Sequence, residues 1–407
     1  MHDCRGPLRN LKSVDTQSHL WLPFTQMAQF DASQRTFVRG EGNYLIDSQG
    51  RHVFDAVSSI WTTIHGHCRT EITQAIASQA AILDHATLLG ATNPLAEALA
   101  MRLADLTGLD RAFFSSDGAS AVEVALKIAL QYWQNIGQRG RTRFVRLADS
   151  YHGDTAGAMS VSDIDLFKQR FGAVTFESLP YDRAGQIVSA PDIAAVIVEP
   201  IVQAAAGIRI VPGASYDNLK EMTPLLIVDE IATGFGRTGS MFAYQQLGLQ
   251  PDIICLGKGI TGGALALSAT LVDSRVYQSF LGADSECKQL FHGHSYAGNP
   301  IACAAALASL DLFVTEETLA QVGSLSRKLA PQLQALRAHP RVAEVRQAGL
   351  MCAIELRTDA RGVADALYAR GFFTRPIGNA IQLVPPLSSQ PAELSGFLAA
   401  LTETLAA

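Results

Sequence analysis

Three charged residues stand where apolar, β-branched runs end. Glu199 follows Ala195 to Val198, Asp229 follows Leu225 to Val228, and Lys258 comes two residues after Ile253 to Leu256. A lysine amine can condense with an aldehyde to a Schiff base. A carboxylate against a ring nitrogen keeps that nitrogen protonated, so that the ring withdraws electrons from a substrate carbon attached to it. Buried charges are costly unless each is paired, so their placement at the ends of core strands asks for partners, and a protonated pyridine nitrogen is one. Asp229 and Lys258 can fill these two roles. Each residue also has a plainer use: a strand-end carboxylate can cap a helix or meet an arginine, and a lone lysine is usually solvated. Gly257 and Gly259, with Thr261-Gly262-Gly263 beyond, weigh against the solvated lysine because they allow close backbone approach to a bulky ligand, although such turns also serve simple loops.

The phosphate of a cofactor would need fixed amide donors, and the turn Gly118-Ala119 at the head of a helical pattern offers them with the positive end of the helix dipole. Val122, Leu126, Ala129 and Trp133 recur at helical spacing, and Ser120 with Glu123 has the form of a capping box. Tyr151-His152-Gly153-Asp154 sets an aromatic ring beside a glycine, suited to stacking on a planar group and equally to ordinary aromatic packing. His65, His67, His152, His292 and His294 lack an acidic or cysteine cluster at ligand spacing, so no metal site is expected.

The elements that must carry these residues follow from the hydrophobic pattern. From about Trp61 to Leu312, short apolar runs alternate with helical ones, the rhythm of a parallel sheet covered by helices. In such open sheets the crevice beyond the strand C-termini binds ligands, so the three strand ends would converge on one site. After Leu312 the spacing of Leu325, Leu329, Leu333 and Leu336 predicts a helix bent by Pro331, then strand-like Val342 to Leu356, another helix and a strand near Phe372. The expected organisation is residues 1–60 as an N-terminal arm and part of a small domain, 61–312 as a large domain, and 313–407 as a small α+β domain.

Composition narrows the function. A net charge of -6 without a Lys/Arg run argues against a nucleic-acid surface or a basic membrane patch. No stretch approaches about 18 consecutive apolar residues, and the N-terminus, with Asp3, Arg5 and Arg9, has no apolar signal core; a cytoplasmic protein is expected. The six cysteines are scattered without C-x-x-C spacing, which fits reduced thiols. Small-molecule chemistry is the favoured class.

Taken together, Asp229-Glu230-Ile231-Ala232-Thr233-Gly234-Phe235-Gly236-Arg237-Thr238-Gly239 and Leu256-Gly257-Lys258-Gly259-Ile260-Thr261-Gly262-Gly263 closely resemble the class III aminotransferases of pyridoxal-phosphate (PLP) fold type I. The resemblance extends through Ser150-Tyr151-His152-Gly153-Asp154-Thr155, Val198-Glu199-Pro200-Ile201-Val202-Gln203 and His292-Gly293-His294-Ser295-Tyr296-Ala297-Gly298-Asn299-Pro300, nearly the whole chain. It implies an α/β fold with a large, mostly parallel-sheet domain and a smaller α+β domain. It also implies that Lys258 carries PLP and shuttles the proton between substrate and cofactor carbons, while Asp229 pairs with the pyridine nitrogen. Gly118, Ala119 and Ser295 match phosphate-binding positions, and Ser295 would reach the neighbouring subunit's cofactor, so a homodimer with shared active sites is expected.

Within the family, Trp21-Leu22-Pro23-Phe24-Thr25, Ser58-Ser59-Ile60-Trp61, Ile64-His65-Gly66-His67 and Arg375-Pro376 resemble the members that convert 8-amino-7-oxononanoate to 7,8-diaminononanoate in biotin biosynthesis. Ala232 agrees, since relatives acting on ornithine or γ-aminobutyrate often carry glutamine there. The resemblance makes Arg375 the grip on the acceptor's carboxylate, with Tyr151 and Gly293 lining the same pocket. Phe24 stands where many members have tyrosine, and Ile60 where many have a tryptophan beside the retained Trp61. These changes bear on the amino donor, S-adenosylmethionine or lysine. Pro212 to Pro224 is shorter than the helix usual before the Asp229 strand, which could loosen the support of Asp229. Two other readings stand beside this one: another class III transaminase acting on an ω-amine or diamino acid, and a non-catalytic PLP-fold binding protein.

Overall fold

The computed structural model describes residues 19–29, 35–181, 190–219 and 224–407. Asp3, Cys4, Arg5, Arg9 and residues 220–223 of the shortened segment lie outside them. The N-terminal part contributes strands β1 (Phe37–Glu41), β2 (Tyr44–Asp47) and β3 (His52–Asp55). The central part follows with β4 (Arg111–Ser115), β5 (Arg143–Arg146), β6 (Leu179–Pro180), β7 (Ile193–Val198), the small hairpin β8 (Val202–Gln203) and β9 (Arg209–Ile210), then β10 (Leu225–Asp229), β11 (Ile253–Leu256) and β12 (Ser268–Val272). The main sheet has seven strands in the order β4-β12-β11-β10-β7-β5-β6. It is parallel from β11 to β6, while β12 runs antiparallel to both β11 and β4.

Strands β7, β10, β11 and β12 are buried along their whole length, which is why they read as unbroken apolar runs instead of alternating ones. From Ala195 onward in β7, and along β10 and β11, their side chains nonetheless alternate between two cores. Val196, Val198, Leu226, Val228, Ile254 and Leu256 enter one. Ala195, Ile197, Leu225, Ile227, Ile253 and Cys255 enter the other, where they meet Val122, Ala125, Leu126 and Ala129 of the helix Gly118–Asn135. The sheet is thus sandwiched between helical layers, and its crevice opens at the C-terminal edge.

The C-terminal part contains β13 (Val342–Ala348), β14 (Met351–Leu356), β15 (Phe372–Phe373) and β16 (Ala380–Leu383). The expected strand from Val342 to Leu356 is an antiparallel hairpin, β13 with β14, and β16 adds to β14. The helix Thr318–Leu336 continues through Pro331 and buries Leu325, Leu329, Leu333 and Leu336 as their spacing required. β15 pairs in parallel with β3, so the N-terminal strands complete a sheet with the end of the chain. Among the described residues no helix is long and apolar enough to cross a membrane.

The capping expected from Ser120 and Glu123 is not formed. Asp117 is the N-cap instead, accepting from the Ser120 N–H at 2.9 Å and from the Ser120 hydroxyl at 2.9 Å. Glu123 turns outward: its Oε1 accepts from the Thr155 hydroxyl (2.6 Å) and the Gly157 and Ala158 amides (2.7 and 3.2 Å), fixing the start of the short helix Ala156–Ser160.

Candidate active site

Because β7, β10 and β11 are neighbours in one parallel sheet, their C-terminal ends lie side by side, and Glu199, Asp229 and Lys258 line a single cavity of about 410 Å³. Trp61, Gly118, Ala119, Tyr151, His152 and Thr155 line it as well. The volume suits a small cofactor with part of a substrate.

Asp229 is 4% exposed, and both its oxygens are engaged. Oδ1 accepts from the Ile231 amide at 3.0 Å and Oδ2 from His152 Nδ1 at 2.7 Å. Facing a carboxylate, Nδ1 must carry the proton. The His152 ring is therefore the support of Asp229, a role nothing in its sequence neighbourhood announces, and its Nε2 is buried without a partner among the described residues. Glu199 hangs two loops on the same spot: Oε2 accepts from the Tyr151 amide (2.9 Å) and Oε1 from the Ala204 amide (3.2 Å). Burial, followed by the nearby Asp229 charge, pushes the Glu199 carboxyl up to about 7 against the lowering influence of His152 and the two amides. The Tyr151 hydroxyl donates to Asp154 (2.9 Å), and burial with that carboxylate raises its pKa.

Lys258 has φ +41°, an unfavourable backbone for a branched-at-Cβ or longer side chain, and its Nζ lies 4.8 Å from the centre of the Trp61 ring. Burial holds the amine below the usual lysine range, opposed by Asp229 and Glu199 and reinforced by Arg237. A lysine with a lowered pKa is a better nucleophile near neutral pH.

Trp61 reaches the amine from an unusual turn. Ser58, Ser59, Ile60 and Trp61 have φ of 49°, 48°, 69° and 65°, four successive L-residues in the left-handed region. Each costs about 1–2 kcal/mol there. The surroundings hold the turn: Ser58 Oγ donates to the Val384 carbonyl (2.7 Å), Ser59 Oγ to Asp55 (3.0 Å), and the Trp61 indole N–H to Gln382 Oε1 (2.9 Å). Arg237, 1% exposed, donates to the Thr63 and Pro385 carbonyls at 3.0 and 2.6 Å and so ties the turn to the C-terminal strands. Gly263, expected to clear space for a ligand, instead clears it for this turn. With φ +91°, a Cβ there would stand 2.7 Å from Thr63 Cα and 2.8 Å from the Thr62 carbonyl.

At the other side of the cavity, Gly118 and Ala119 open their helix, so their amides have no acceptor within it. A Cβ on Gly118 would lie 2.8 Å from Ile231 Cγ2, in the loop after Asp229. The helix start and the Asp229 loop can approach this closely only with glycine at 118.

The remaining sequence-predicted residues lie off the cavity of the single chain. Phe24 is 60% exposed, but its ring lies 5.0 Å from that of Phe167, tilted by 57°, and Phe167 meets Tyr151 edge-on at 5.7 Å. Ile60 is partly exposed within the left-handed turn. Arg375 is exposed, and its carbonyl accepts from Gln382 Nε2. Gly293 and Ser295 are exposed on a turn beside Leu89 and His85, where the Ser295 carbonyl accepts from His85 Nε2 at 2.9 Å. The other histidines also have partners: His65 at Ser309, His67 at Asp55, His292 at Lys127 and His294 at Ser116. The shortened segment forms a 3-10 turn, Gly213–Leu219, whose buried Tyr216 donates to the Glu199 carbonyl (2.8 Å) and accepts from the Ile201 amide (3.0 Å), supporting the neighbouring strand end.

A family model described as aminotransferase class-III matches residues 27–405. The adenosylmethionine-8-amino-7-oxononanoate aminotransferase of Geobacter sulfurreducens is 39% identical, the match covering 95% of this chain and 95% of that protein. The crystal structure of the enzyme of the same name from Methanocaldococcus jannaschii is 40% identical with a TM-score of 0.90, covering 95% of this chain and 97% of that one. An amine transaminase from an uncultivated Pseudomonas species, solved in its PLP-bound form, is 34% identical with a TM-score of 0.91, covering 96% of this chain and 99% of that one.

Proposed function

The chain belongs to the class III aminotransferases, and from that premise we propose that it transfers an amino group to 8-amino-7-oxononanoate, forming 7,8-diaminononanoate, with S-adenosylmethionine or lysine as donor and PLP as cofactor. The observation that carries the assignment is the meeting of Lys258, Asp229 and the Gly118-Ala119 helix start in one cavity, which offers an amine, a carboxylate and free amides to the aldehyde, ring nitrogen and phosphate of one molecule. The donor set fits that molecule: a buried Asp229 that is already oriented, and a close-packed helix start that a Cβ at Gly118 would block.

When bound, PLP supplies an aldehyde for the amine and a ring that draws electrons from the substrate carbon. Lys258 would hold the cofactor's aldehyde, and its amine, which burial keeps below the usual lysine range, would be the group that moves the substrate's proton. Asp229 keeps the ring nitrogen protonated, and His152 keeps Asp229 aimed. The amides of Gly118 and Ala119 hold the phosphate at the positive end of their helix. Tyr151, anchored through its amide on Glu199 and its hydroxyl on Asp154, covers the ring. Trp61 screens the amine from water, Arg375 receives the acceptor's carboxylate, and Phe24 and Ile60 border the acceptor on the outer side. Ser295 and Gly293 serve the neighbouring subunit's site in a homodimer, and the enzyme works in the cytoplasm.

Growth of a biotin auxotroph lacking this aminotransferase tests the substrate. Rescue by the wild type and not by Lys258→Ala is the expected result. Vigorous amine-to-pyruvate transfer in vitro without rescue would instead assign the chain to general amine transamination, the activity named for its 34% identical neighbour.

A further inference from the structure

Gln382 lies on β16 between Ile381 and Leu383 and is 0% exposed. A leucine or methionine would fill such a position without a polar group, and a buried amide is tolerated only where its bonds are made. Both are, and in one orientation only. The Trp61 indole N–H can only donate, so it faces Oε1 at 2.9 Å; the Arg375 carbonyl can only accept, so it faces Nε2. The backbone is locked as well, since Thr374 Oγ1 donates to the Gln382 carbonyl at 2.7 Å and Ile377 exchanges two bonds with Ala380 at 3.1 and 3.0 Å. One side chain therefore joins the ring that covers the Lys258 amine to the loop that carries Arg375.

We propose that Gln382 is the positioning residue that sets acceptor length, an inference that rests on the substrate reading above. The acceptor's ketone must lie at Lys258 and its carboxylate at Arg375, and the buried amide fixes how far apart those two ends stand. Only glutamine both accepts from the indole and donates to the carbonyl at this reach. Methionine keeps its length and makes neither bond, while glutamate keeps the bond to Trp61 and recovers the other when protonated.

The test compares the holoenzyme with Gln382→Met and Gln382→Glu on straight-chain keto acids of graded length and on the matching methyl ketones, which lack the carboxylate. In Gln382→Met, KM for the preferred keto acid should rise about tenfold with kcat within about twofold, the length preference should flatten, and KM for the ketones should not change. In Gln382→Glu, the keto-acid KM should fall toward the wild-type value as pH is lowered, which a purely structural defect would not reproduce. An equal rise on keto acids and ketones, or an unaltered length preference, overturns the proposal. A wild type that prefers a keto acid other than the oxononanoate defeats the substrate reading, while the length comparison made on that acid still decides the role of Gln382.

Discussion

At the scale of single residues, the proposed chemistry rests on one lysine, whose amine burial holds below the usual lysine range, and one carboxylate, held in place by His152 and the Ile231 amide. Lys258→Ala should lower turnover by about 10³-fold or more, measured as the single-turnover rate with either donor. His152→Phe should leave the cavity filled but free Asp229 to rotate. We expect kcat to fall about tenfold with a shift of the bound cofactor's absorption, and a variant with unchanged absorption would remove His152 from its assigned role. Glu230 gives a pH-dependent prediction outside the catalytic pair. Burial raises its carboxyl to about 7, and its oxygens face the Thr233 hydroxyl and the Tyr244 amide at 2.7 and 2.7 Å. The folded state thus favours the protonated form, so this group's stabilisation is full below about pH 4.5 and is lost as pH rises through about 7. Glu230→Gln, which keeps one acceptor and one donor in place, should match the wild type's unfolding free energy at pH 4 and exceed it at pH 8 by on the order of 3 kcal/mol. The meeting of Lys258 and Asp229 in one cavity was legible in the sequence because each follows the end of an apolar run. The roles of His152 and Gln382 were not, since Asp229 and Trp61, which they meet, lie 77 and 321 positions away along the chain and no local spacing encodes such a meeting.

At the scale of elements, buried strands and periodic helices were readable because burial on both faces writes continuous apolar runs and a 3.6 period writes stripes. What could not be read were features set by tertiary partners. The Ser120-Glu123 pair had the form of a cap, yet Asp117 took that position, and Glu123 was drawn to the amides of 157 and 158. Nothing in Ser58-Ser59-Ile60-Trp61 favours left-handed backbone; Asp55, Val384, Gln382 and Arg237 impose it. Ile60→Gly should therefore raise stability by about 0.5–1 kcal/mol in urea unfolding, because glycine adopts this backbone without the steric cost. A destabilised variant would mean that Ile60 side-chain packing outweighs the strain.

At the scale of the whole molecule, the cavity gathers residues from the N-terminal turn, the central sheet and, through Gln382, the C-terminal strands, so its integrity depends on all three. Gly293 and Ser295 do not line the cavity of the single chain and are exposed, and the proposed homodimer assigns them to a neighbouring chain's site. If each site takes Lys258 from one chain and Ser295 from the other, coexpressed Lys258→Ala and Ser295→Trp chains should recover about a quarter of wild-type activity, because mixed dimers contain one intact site. Activity no greater than that of the separate variants would mean that the sites are not shared. All of this depends on Lys258 holding PLP in this cavity, and borohydride reduction of the holoenzyme followed by peptide mass mapping tests that directly. A reduced pyridoxyl adduct on the peptide containing Lys258, absent when the enzyme is first converted with amino donor, is the predicted result; an adduct on another lysine, or none, would contradict it.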